Sequence, residues 1–82
     1  MTYRNVPENR TMLLSEAKTK EEYTVVHCDV SEKVSAKLGS LGLVTGQRIR
    51  VLLTTFAGLI IEVKGSRLAI GRTLARQMMV VP

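Results

Sequence analysis

The densest cluster of chemistry-bearing side chains is His27-Cys28-Asp29, with Glu32 three residues further on. Residues two apart on a strand share a face at about 6–7 Å, so His27 and Asp29 can present an imidazole and a carboxylate to one divalent cation. That donor pair suits iron, zinc or manganese. It leaves most of the shell to water, so an ion there would be held weakly. A plainer reading stands beside it, in which His27 and Asp29 alternate outward on a half-exposed strand while Cys28 packs inward as a small hydrophobe.

The groups an enzyme needs are otherwise missing. The chain has one histidine, no serine or cysteine nucleophile motif near a second base, and no phosphate-cradling G-x-x-x-x-G-K-[ST]. Glu21 and Glu22 are adjacent, so on a strand they face opposite ways. The chain is therefore expected not to be an enzyme and to require no cofactor.

A second group is basic. Arg48 and Arg50 alternate onto the outer face of one strand, with Lys64 expected opposite on its hairpin partner and Arg67 just beyond the next turn. They form either a docking patch for an acidic partner or a solvated face whose charges protect an edge. Phe56, beside Ala57-Gly58, either presents an apolar anchor at a loop tip or folds back over the mouth of the domain. Nucleic acid is disfavoured as a partner, because two Tyr, one Phe and no Trp make a poor stacking platform.

The elements that position these residues follow from periodicity. Residues 1–11 lack apolar periodicity and read as a flexible arm. Met12-Leu13-Leu14 reads as a first edge strand. Residues 23–30 form a strand, with Val26, Cys28 and Val30 expected inward and Tyr23, Val25, His27 and Asp29 outward. Ser31 then caps a helix over residues 32–41 that places Val34, Leu38 and Leu41 on one face, and Gly42 ends it. From Gln47 the period becomes two. Ile49, Val51 and Leu53 point inward, residues 54–58 form a hairpin loop, and Leu59, Ile61 and Val63 return antiparallel. Gly65-Ser66 makes a further turn before Leu68-Ala69-Ile70. Residues 72–77 form one helical turn and residues 78–81 a closing strand.

Five to six short strands with one helix and a helical turn, in 82 residues, imply a mainly β domain. A sheet this short removes most of its exposed edge by curling on itself, so the expected fold is a small SH3-like barrel over residues 12–82.

Charge is unevenly spread. The first half balances six cations with six carboxylates, whereas residues 42–82 carry six cations against Glu62 alone, which accounts for the net +5. Such a surface favours acidic partners. The longest nearly apolar run, residues 56–61, is far short of the ~20 residues a membrane helix needs. No secretory signal precedes the domain, and Cys28 has no second cysteine to pair with. A cytoplasmic address is expected.

Two segments carry a resemblance to a known family. Lys37-Leu38-Gly39-Ser40-Leu41-Gly42-Leu43-Val44-Thr45-Gly46 resembles the basic-Leu-x-x-Leu-Gly-Leu-x-Pro-Gly segment of the FeoA family. Val63-Lys64-Gly65-Ser66-Arg67-Leu68-Ala69-Ile70, followed by Leu74-Ala75, is similar to that family's ending. Thr45 stands where the family usually has proline, and Lys20 stands near a turn that commonly carries glycine. The resemblance implies a small cytoplasmic accessory or regulatory protein of ferrous iron transport. Its partner would be the cytoplasmic region of the membrane transporter FeoB, with Fe(II) or another divalent transition metal bound weakly at most. An alternative is a stand-alone metal-sensing or peptide-binding module similar to the C-terminal domain of iron-dependent repressors.

Overall fold

The computed structural model describes residues 10–82. Of the expected arm, residues 1–9 lie outside the described residues. The described residues form six strands: β1 (Met12–Leu13), β2 (Glu22–Cys28), β3 (Arg48–Thr55), β4 (Gly58–Val63), β5 (Ser66–Gly71) and β6 (Met78–Val81). Helix α1 (Glu32–Ser40) joins β2 to β3, and the single turn α2 (Arg72–Ala75) joins β5 to β6. The strands make one antiparallel sheet in the order β1-β6-β2-β3-β4-β5. It curls around one core that includes Leu14, Val25, Ile49, Val51, Ile61, Met78 and Val80. This is the expected mainly β, SH3-like barrel.

Two β-bulges correct the expected inward faces. In β2 the pairing with β6 shifts between Val25 and His27, leaving Val26 as the extra residue. Tyr23 and Val25 are consequently buried, at 4% and 0% exposure, whereas they were expected outward. Beyond the bulge the parity reverses, so His27 faces solvent and Cys28 packs partly against the core. In β3 the register shifts between Val51 and Leu53. Leu52 is the extra residue, and Leu53, expected inside, lies 48% exposed. An extra residue in one strand flips every following side chain to the other face and sharpens the local twist, which helps a short sheet curl.

Local signals set the connections. The Ser31 hydroxyl accepts from the Val34 amide at 3.3 Å, capping α1. Gly42, at φ 91°, lets the Leu43 amide donate back to Leu38 at 2.9 Å. Of the helix's apolar side chains only Leu38 is buried, while Val34 and Leu41 stay partly exposed. The β4–β5 turn falls on Lys64-Gly65, one residue earlier than expected. Both have positive φ, 52° and 81°, which makes it a type I′ hairpin closed by the pair Val63 and Ser66.

Candidate interaction faces

The outer face of the sheet carries the basic residues, but in a mixed row. Register places Glu22 beside Arg50, Arg50 beside Glu62 and Glu62 beside Arg67, so charge alternates across β2, β3, β4 and β5. Glu62, rather than the expected Lys64, is therefore the cross-strand neighbour of Arg50. The Glu22 carboxylate accepts from Arg50 at 3.3 Å and lies 3.5 Å from Nε of Arg48. Arg48 also donates to the Thr24 hydroxyl at 2.8 Å. Lys64 sits in the turn at the end of this face, beside a shallow depression of about 260 Å³ floored by Ile49. All these pairs are half exposed, so each is worth a few tenths of a kcal/mol to about 1 kcal/mol.

The barrel end near the β3–β4 hairpin sets the exposed Phe56 among polar side chains, Ser15, Thr55 and Arg72. The hairpin loop is shorter than expected: Thr55 pairs with Gly58, leaving only Phe56-Ala57 in the turn. Phe56 is 87% exposed, so it does not fold back over the barrel. The turn is held by several hydrogen bonds. The Thr55 hydroxyl accepts from the Ala57 amide at 3.1 Å and donates to the Gly58 carbonyl at 3.2 Å. The Arg72 amide donates to the Ala57 carbonyl at 3.0 Å, and its guanidinium donates to the Phe56 carbonyl at 3.4 Å. A depression of about 180 Å³ lies between Phe56, Ser15 and α2. Among the described residues, Arg67, Arg72, Arg76 and Lys64 have no carboxylate within 4.0 Å.

His27 and Asp29 flank the half-buried Cys28 at the end of β2. His27 lies just past the bulge opposite Met79, while Asp29 follows the strand end and its amide donates to Gln77 at 2.7 Å. Both are exposed. Burial pushes the Cys28 thiol up from its ordinary pKa, which disfavours the thiolate that would serve as a third donor. Among the described residues no three of His, Cys, Asp and Glu stand together. These donors do not fit a resident metal centre.

Comparison with known proteins places the chain. The FeoA domain family model matches residues 12–82. The chain belongs to the FeoA domain family. It is 37% identical over 67 residues to the putative Fe(2+) transport protein A of Methanocaldococcus jannaschii, a span covering 82% of each chain. A crystal structure of an iron uptake regulatory protein (FeoA) superposes with a TM-score of 0.80 at 38% identity, covering 87% of this chain and 96% of that one. A manganese-dependent transcriptional repressor superposes at 0.79 with 23% identity, across 98% of this chain and 46% of that one. At that identity the likeness is one of fold.

The FeoA domain thus contains every strand described, together with both faces and the Phe56 turn. Its sequence did not reveal Glu22 as the carboxylate between Arg48 and Arg50, because the three meet only through the β2–β3 register. Nor did it reveal Arg72 as the support of Phe56. The available signal was Gly58, whose φ of 150° marks a backbone held close to β5.

Proposed function

We propose that this FeoA-family chain is an accessory protein of ferrous iron transport that acts in the cytoplasm by docking on the membrane transporter FeoB. The observation that carries the proposal is Phe56, 87% exposed on a turn held by Thr55 and Arg72. An aromatic side chain carried beside an arginine on a turn whose backbone is fixed by hydrogen bonds is the composition of a binding hot spot, because little backbone freedom is lost on contact. The excess of cations in residues 42–82 suits an acidic docking surface. The similarity to a protein named for Fe(2+) transport supplies the pathway. No helix among the described residues is long and apolar enough to cross a membrane, so membrane attachment in this reading comes through the partner.

Calorimetry against the cytoplasmic domain of the cognate FeoB, with and without guanine nucleotide, tests the reading. Saturable binding is expected, and Phe56→Ala should weaken it about thirtyfold, the effect of removing a hot-spot residue. Absence of binding would overturn the partner. Undiminished binding by Phe56→Ala would move the contact to another face.

A further inference from the structure

We infer that the outer edge of β5 is a strand-addition site for an extended peptide segment that places an acidic residue opposite Arg67 and an apolar one opposite Ala69. This goes beyond the docking proposed above and does not depend on the identity of that partner. Strand β5 is an end of the sheet and pairs with β4 alone. In the type I′ hairpin the closing pair Val63 and Ser66 is hydrogen-bonded, so the pairs Ile61–Leu68 and Leu59–Ile70 are too. The amides and carbonyls of Arg67 and Ala69 must then point away from β4. Among the described residues no other group hydrogen-bonds to them. β5 has no bulge or proline along this edge, two of the devices that usually block pairing.

The side-chain rows of the outer face specify what the added strand must carry. One row runs Glu22, Arg50, Glu62, Arg67 and stops at the edge on a cation. The adjacent row runs Leu53, Ile60, Ala69 and stops on a small apolar residue. Cross-strand neighbours on one face are stabilised by opposite charge and by apolar contact. A strand continuing both rows therefore has an acidic and an apolar residue two positions apart. Its apolar side chain can fill the shallow depression of about 220 Å³ that Ile60, Ala69 and Gly71 leave at the hairpin end. A second copy of this chain is disfavoured as occupant. Pairing β5 with itself would offer Arg67 no carboxylate, because β5 carries that cation and no acidic residue.

The test uses the full chain, ¹⁵N-labelled, with two decapeptides as probes, a valine-glutamate peptide repeating Val-Thr-Glu-Thr and a valine-lysine peptide repeating Val-Thr-Lys-Thr, so that valine and the charged residue alternate along one face. The valine-glutamate peptide should slow hydrogen exchange at the Arg67 and Ala69 amides and bind at least tenfold tighter than the valine-lysine peptide. Ala69→Pro removes one outward amide without touching the β4 ladder, and should weaken binding about tenfold. Arg67→Glu should reverse the peptide preference, which reads the site independently of any effect of proline on the strand. Shifts confined to another face, equal binding of both peptides, or protection at Arg67 and Ala69 that grows with protein concentration alone would overturn the proposal.

Discussion

At Gly58 the backbone has φ 150°, and a Cβ there would run into the Ile70 carbonyl. This one residue therefore sets how closely the hairpin tip approaches β5, and with it where Phe56 points. Gly58→Ala combines a disfavoured conformation with a clash against backbone, so it should cost about 2–4 kcal/mol, measured by urea unfolding. A cost under about 0.5 kcal/mol would show that the tip can move freely. Lys20 presents the opposite case, a non-glycine residue at φ 72°. Its amide is nonetheless bound to the Val51 carbonyl at 2.6 Å. Single-residue signals such as the Ser31 cap and Gly42 were legible in the sequence because their partners lie within five residues. The exposure of Phe56 was not, since it depends on Arg72, sixteen residues away.

The elements themselves were legible from periodicity, and their faces only in part. The alternation in residues 48–53 is regular enough to predict Leu53 inside, yet the bulge at Leu52 turns it out. Nothing in the sequence of β3 marks that residue as extra, because a bulge is a mismatch between two strands rather than a property of one. The same holds for Val26 in β2. The contrast is measurable: Val51→Ala, at a site with 0% exposure, should destabilise the fold by about 2 kcal/mol. Leu53→Thr should change stability by less than about 0.5 kcal/mol. Equal costs would mean that the register does not shift. The candidate site was legible as a set of cations, Arg48, Arg50, Lys64 and Arg67. Its carboxylates, Glu22 and Glu62, belong to the same face only once the strands are paired.

For the molecule as a whole, the net charge of +5 predicts a salt-sensitive association. Oppositely charged surfaces steer encounter over about one Debye length, ~10 Å at 0.1 M salt. The association rate with an acidic partner should therefore fall several-fold between about 0.05 and 0.5 M salt, while dissociation changes less. Stopped-flow mixing separates the two, and a rate independent of salt would leave the cations no part in recognition. The two ends of the sheet are also unequal, β5 offering six residues and β1 only two. A cross-β fibril grows because every subunit presents a template at both ends. With a stub at one border, the β5 edge of one copy meets no matching six-residue edge on the β1 side of the next, so copies of this barrel lack the head-to-tail pairing that would stack them into a filament.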